Sequence, residues 1–380
     1  MISTGIEDVL SIAGELGDEI VEWRRYLHSI PEESFKENGT ASFLAEKLAS
    51  FGYKVTGGLA ETGLIADLGS GRTVALRAEM DGLPIQEQNR LAFNSTNPGL
   101  MHACGHDDNM ACVLAAASIL SRLKPEGRVR ILMQPSSEKT SEVDRKSGSN
   151  KMIEAGALAD VDALISLHVD STIRGGEFGI LSDPVKDRQC RFEFVIAGAS
   201  GTKNCGLKTG AALILDALAE VEKNETYRPL FAIESLVSSD KEAVLTGCFR
   251  YLGRETHDYF KKTLSGLAEA LEGKGIDARL SIESAGVLSR ADIDLARVVS
   301  DVVQEVSGRD CQKVSRQAWS EDFTPYSSSL PATLLFLGAA FEGQTRVLHT
   351  PTFDFDETRL ANGAAVLALS VLHILRVSVS

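Results

Sequence analysis

The chain contains no cluster of basic residues: 39 lysines and arginines against 53 aspartates and glutamates leave a formal charge of −14. A phosphate backbone requires a basic face, so nucleic acid is excluded as a partner. No apolar stretch reads as long and unbroken enough for a bilayer, so no membrane partner is expected. The first residues carry Glu7 and Asp8 where a signal peptide would have a basic segment and then an apolar core. The six cysteines, at 104, 112, 190, 205, 248 and 311, lack framework spacing. Such scatter fits reduced thiols, and a cytoplasmic protein is expected. What remains is ordinary: 380 residues, 43% hydrophobic and 24% charged, are enough for two globular domains.

One stretch is not ordinary. Residues 101–109, read as M-H-A-C-G-H-D-D-N, place a thiol, two imidazoles and two carboxylates just ahead of an apolar helical pattern at 110–123. Cys104 and His106 stand two apart on a turn, and helix N-terminal amides favour a thiolate there. A lone buried Cys or His is commonplace, but ligand types crowded beside Gly105 have the form of a metal site.

Residues 3–49 read as helix broken by Pro31. Short β-rich runs at 53–55, 64–68, 73–77, 128–133 and 163–169 then alternate with helix, which indicates an α/β layer with a mainly parallel sheet. Ligands bind beyond the carboxyl ends of such strands, and Glu79, Asp81, Glu138 and His168 fall there. From Arg191 to Glu283 the order becomes β-α-β-β-α-β, the ferredoxin-like signature. The expected architecture is therefore a discontinuous domain, 1–188 and 290–380, interrupted by an inserted domain at 189–289. A strand at 334–337 and a long closing helix at 357–377 return to the first domain, and 139–150 reads as a loop.

A hydrolytic metal centre needs N, S and O ligands converging from several strand ends. Besides Cys104 and His106 the candidates are Asp81, Glu138, His168 and His349, each weak alone. Their order and flanks resemble the M20 metallopeptidase family, in the amidohydrolase branch that includes N-acyl-amino-acid and auxin-conjugate hydrolases. The resemblance is carried by R-R-Y-L-H-S-I-P-E at 24–32, A-L-R-A-E-M-D-G-L-P-I at 75–85 and M-H-A-C-G-H-D at 101–107. It continues with Q-P at 134–135, K-M-I-E-A-G-A-L at 151–158, S-E-D-F at 320–323 and the segment around His349.

The resemblance implies a catalytic domain binding two divalent ions and a smaller lid domain that closes on substrate and forms a homodimer interface. It implies Cys104, His106, Glu138, His168 and His349 as metal ligands, with Asp81 behind them as an orienting acid. A thiolate in a two-metal set suits zinc, and manganese, cobalt or nickel also fit.

The chain departs from the family pattern at telling places. Q-P-A-E-E has become Gln134-Pro135-Ser136-Ser137-Glu138, so Ser137 occupies the position of the general-base Glu. Loss of a positioned base commonly costs about 10² to 10⁴ in rate. Thr202 occupies the position of the lid His that stabilises the oxyanion, a weaker partner. Asn109 replaces the second His of H-D-x-H, and R-A-D-M-D has become Arg77-Ala78-Glu79-Met80-Asp81. Glu142 and Asp144 in the following loop are candidate replacement acids. The resemblance implies a metal-dependent amidohydrolase or peptidase acting on a small N-acyl amino acid or dipeptide-like substrate. Ser137 and Thr202 support an alternative, a catalytically silent homologue that binds metal and a small amino-acid-like ligand.

Overall fold

The computed structural model describes residues 5–141, 143–144, 146–181, 188–197, 205–222, 230–239, 242–251, 254–287, 291–314, 322–344 and 346–376. It divides into two compact units, Met1–Pro184 with Arg290–Ser315 and Glu321–Ser380, and Val185–Ser289 with Arg316–Ser320. The first begins with α1 (Ile6–Glu15), α2 (Gly17–Ser29), α3 (Asn38–Ser50), β1 (Lys54–Leu59), β2 (Gly63–Gly69) and β3 (Thr73–Glu79). It continues through α4 (His106–Leu123), β4 (Arg128–Gln134), α5 (Gly148–Glu154), β5 (Ala163–Arg174) and β6 (Phe178–Leu181). The second unit holds β7 (Arg188–Ala197), α6 (Cys205–Glu222), β8 (Leu230–Ser238), β9 (Glu242–Tyr251), α7 (Arg254–Glu272) and β10 (Asp277–Val287). The chain returns to the first unit with α8 (Ile293–Ser307), β11 (Gln312–Val314), α9 (Thr324–Ser329), β12 (Ala332–Ala340) and α10 (Leu360–Arg376).

The first unit is built on a sheet of order β1-β2-β4-β3-β5-β12-β6-β11. Its centre, β4-β3-β5-β12, is parallel, and antiparallel pairs flank it. β3 is buried at every position, as a central strand covered on both faces must be. The second unit is an antiparallel sheet of order β10-β7-β9-β8 with α6 and α7, the ferredoxin-like arrangement.

Some elements differ from expectation for local reasons. α4 begins at His106, four residues earlier than its apolar pattern, because a polar first turn is buried with the rest of the helix. β6 and β11, of 4 and 3 residues, are too short to show a period. The residues Glu357–Arg376 are long and apolar enough to span a bilayer, contrary to the sequence reading, but 67% of that window is buried. α10 is a core helix, packed so closely on α4 that a Cβ at Gly363 would lie 3.0 Å from Cys112 Sγ.

Beneath the first turn of α4 lies a buried ion-pair network. Arg24, 1% exposed, donates to Asp107 Oδ2 at 2.9 Å and to Glu357 Oε2 at 3.2 Å. Its guanidinium is held between the rings of Phe93 and Phe355, 4.9 and 4.2 Å from their centroids. His28 Nδ1 lies 2.8 Å from the same Asp107 oxygen. The R-R-Y-L-H motif thus reaches across the fold to fix the helix that carries His106. Arg24→Leu would leave Asp107 buried without its main cation, at a cost of roughly 3 to 5 kcal/mol. Urea unfolding should show it; a loss under about 1 kcal/mol would place the anchor elsewhere.

Candidate metal centre

Each candidate ligand is set by a distinct backbone device. Gly105 adopts φ 82°, and a Cβ there would come within 2.1 Å of Val169 Cγ1, so only glycine allows the turn that brings Cys104 and His106 together. Glu138 follows β4 through Ser136, whose φ is 47°. His168 lies within β5 and is 6% exposed. His349, in the loop after β12, has φ 62°, and its amide donates to Ala103 O at 2.8 Å, which staples that loop to the Cys104 turn.

The structure brings these five side chains together. Cys104 Sγ lies 3.5 Å from His168 Nε2 and 3.2 Å from His349 Nε2. Glu138 Oε1 lies 3.7 Å from His106 Nε2 and 3.5 Å from His349 Nε2. Two triads, Cys104-His106-His168 and Cys104-Glu138-His349, each have their donor atoms within 4.8 Å of one another and share the thiol. Either could hold a metal ion. His106 Nδ1 donates to Asp81 O at 2.8 Å and His168 Nδ1 to Val169 O at 2.8 Å, so each ring presents Nε2 to the cluster.

Asp81 is 1% exposed and sits behind this set. Its Oδ2 accepts from Ser34 Oγ at 2.7 Å and from the Ser137 and Glu138 amides, each at 3.0 Å. Burial works against the carboxylate, yet the His106 ring, 3.3 Å from Oδ1, and these donors hold its pKa down at about 2. Burial likewise opposes the Glu138 carboxylate, while His349 and His106 keep it low. The thiol reverses the expectation from sequence. Burial pushes Cys104 up despite the helix and His106, because it lies before the N-cap in a buried turn. A bound divalent cation is the charge that would deprotonate it.

A family model for peptidase family M20/M25/M40 matches residues 75–373. The chain belongs to this family. A Geobacillus stearothermophilus N-acyl-L-amino acid amidohydrolase is 39% identical over 200 residues, 51% of this chain and 53% of that protein, so the chain spans about half the length of that relative. The Arabidopsis thaliana IAA-amino acid hydrolase ILR1-like 6 is 31% identical over 91% of this chain and 78% of its own length. Among solved structures, the Bacillus subtilis YXEP protein, described as a dinuclear metal-binding peptidase of the M20 family, superposes with a TM-score of 0.78. It is 24% identical, and the match covers 96% of this chain and 99% of that one, which shows the shared fold.

In this M20 chain Ser137 is half-buried beside the cluster, with its amide bound to Asp81. Thr202 and Glu142 lie outside the described residues. Asp144 does not turn toward the centre: it caps the Lys146 amide at 3.1 Å and lies 3.7 Å from Lys151 Nζ. Asp322 accepts from Gln134 Nε2 at 2.7 Å and from the Ser149 amide at 2.9 Å, and so ties α5 to the end of β4.

Sequence reasoning missed Glu37. It is fully buried, and its Oε1 accepts the Ser136 amide at 2.8 Å and the Phe35 amide at 3.0 Å. With Asp81 it holds three consecutive amides, those of Ser136, Ser137 and Glu138. The only signal was an acid repeated in P-E-E-S-F-K-E at 31–37. Burial, with Asp81 nearby, raises Glu37 from its ordinary 4.5 to about 7. Between those values the folded state keeps a proton that the unfolded chain releases, so this group lowers stability as pH rises through the window. Glu37→Gln should remove part of that slope when urea midpoints are compared at both ends of the window. An unchanged slope would mean that Glu37 is ionised throughout.

Proposed function

We propose that this chain is a metal-dependent hydrolase of the M20 family that acts on a small N-acyl amino acid or dipeptide-like substrate. Two ligand triads meeting at Cys104, with imidazoles already oriented, carry the reading. The residues that would hold two divalent ions are Cys104, His106, Glu138, His168 and His349, a set of one sulfur, three nitrogens and a carboxylate that suits zinc. Bound there, the ions supply Lewis acidity and acidify water. Asp81 fixes the His106 tautomer and the Glu138 loop, which keeps the ligand set in register without a rearrangement on binding. The 1–188 and 290–380 segments would form the catalytic domain and 189–289 the lid, with Thr202 at the sequence position of the family's oxyanion-stabilising His.

Ser137 supports a second reading, a homologue that binds metal and a small amino-acid-like ligand without turnover. A hydroxyl does not accept a proton at neutral pH, and Asp144 is committed to Lys146 and Lys151. Hydrolysis of a panel of N-acyl amino acids and dipeptides by zinc- and manganese-loaded protein separates the two. As a hydrolase, the wild type turns over at least one substrate, and Ser137→Glu raises that rate by about 10² to 10⁴. Activity in Ser137→Glu alone would establish the ligand-binding reading.

The second unit supports a homodimer. β8 is an edge strand of its sheet and exposes Ile233, Leu236 and Val237 at 37%, 47% and 65%. An antiparallel edge is self-complementary under a two-fold axis, so a second copy completes both sheets at once. Leu236→Lys with Val237→Lys should halve the mass seen by light scattering; an unchanged mass would move the interface elsewhere. The buried free thiols Cys104 and Cys112 support a reducing, cytoplasmic setting.

A further inference from the structure

We infer that Glu79 and Asn109 form a matched pair that positions the buried triad of the metal centre, acting on His168 through the main chain of Val169. The inference rests on the metal-binding reading above and adds to it two residues outside the ligand set.

Asn109 lies on the first turn of α4, three residues after His106, and is fully buried. Its two ends are used in opposite senses. Nδ2 donates to Glu79 Oε2 at 3.1 Å, and Oδ1 accepts the Val169 amide at 3.0 Å. The carbonyl of that same Val169 accepts His168 Nδ1 at 2.8 Å. Asn109 therefore holds the residue that sets the rotation of the His168 ring.

Glu79 ends β3 and is 3% exposed. Its other oxygen pairs with Arg77, whose Nε donates to Gln134 Oε1 at 2.9 Å, and Gln134 in turn donates to Asp322 at 2.7 Å. One hydrogen-bonded line thus runs from Asp322 past the ends of β4 and β3 to β5. Glu79 is kept ionised despite its burial by Arg77 and by the proximity of His106 and His168, which places its charge behind both imidazoles of the buried triad. The Glu138 and His349 half is more open, with side chains 18% and 41% exposed.

Positions 79 and 109 are also where the sequence departs from D-M-D and H-D-x-H. The two departures touch. Glutamate reaches one methylene farther than aspartate and asparagine falls short of histidine, so the exchange moves length from one partner to the other and conserves the span.

Cobalt(II) titration of full-length metal-free protein, followed by the absorption of thiolate and imidazole ligation, tests this without any assay of turnover. Glu79→Gln, Glu79→Asp, Asn109→Ala and Asn109→His should each weaken one cobalt step by about 10- to 100-fold and leave the other nearly unchanged. The Glu79→Asp/Asn109→His double variant should recover most of the loss, because contacting residues couple. Equal weakening of both steps, unchanged binding in variants that unfold at the wild-type urea midpoint, or a double variant no better than the sum of its singles would overturn the pairing. Should Asn109→Ala fail to fold, the isosteric Glu79→Gln decides the question. A wild type that takes up no cobalt would overturn the metal reading and this inference together, whereas cobalt uptake indifferent to both positions would overturn only the latter.

Discussion

Everything at the candidate centre depends on how Asp81 is satisfied. A carboxylate taken out of water is costly unless donors surround it. Here the surrounding groups come from three separate parts of the chain: the Ser34 hydroxyl, the Ser137 and Glu138 amides, and the His106 ring beside it. Each of those groups would be left without a partner if the chain met differently. The constraint is therefore reciprocal: the loop after β4 cannot leave Asp81 without stranding two amides, and Asp81 cannot leave without freeing His106. Glu37 extends the same logic one residue upstream, at the Ser136 amide. The ligand geometry follows from backbone saturation more than from attraction among the ligands.

That arrangement leaves the centre indifferent to the side chain at position 137. The clamp acts on main-chain N–H groups, which every residue but proline supplies. A serine there keeps the amide bound to Asp81 and lets Glu138 point as it does. Side chain and scaffold are separable at this residue: whatever the side chain at 137, its amide helps set where the neighbouring Glu138 stands. A substitution at 81 or 105 has no such freedom, since Gly105 admits no Cβ within 2.1 Å of Val169 and Asp81 has no other means of satisfying its donors.

What was legible in the sequence was whatever is local. Cys104 and His106 are two residues apart beside a glycine, and the alternation of strands and helices, like the β-α-β-β-α-β order, appears in any window of suitable length. Long-range side-chain to main-chain bonds leave no such trace. Glu37 acts on an amide 99 residues away, and nothing in P-E-E-S-F-K-E separates it from its solvated neighbours. The start of α4 differs for a related reason: His106, Asp107, Asp108 and Asn109 look like a polar turn, yet all four are buried, with Asp81 meeting His106, Arg24 and His28 meeting Asp107, and Glu79 meeting Asn109 from elsewhere in the chain. Glu79 and Asn109 were visible singly as departures, but only the fold shows them in contact.

The thiol shows where local reasoning stops. A helix N-terminus lowers a cysteine pKa when the sulfur faces its free amides. Cys104 sits on the far side of the cap glycine, 5% exposed and close to Glu138, and desolvation outweighs the dipole. The Asp81 and Glu138 carboxylates are held ionised while the sulfur is held neutral, so the cluster is most comfortable as a net acceptor of positive charge. Taking up a divalent cation would relieve the proximity of Glu138 to a forming thiolate, and proton release from Cys104 would accompany it. Metal uptake at this centre is therefore coupled to pH through the sulfur, whose proton must leave.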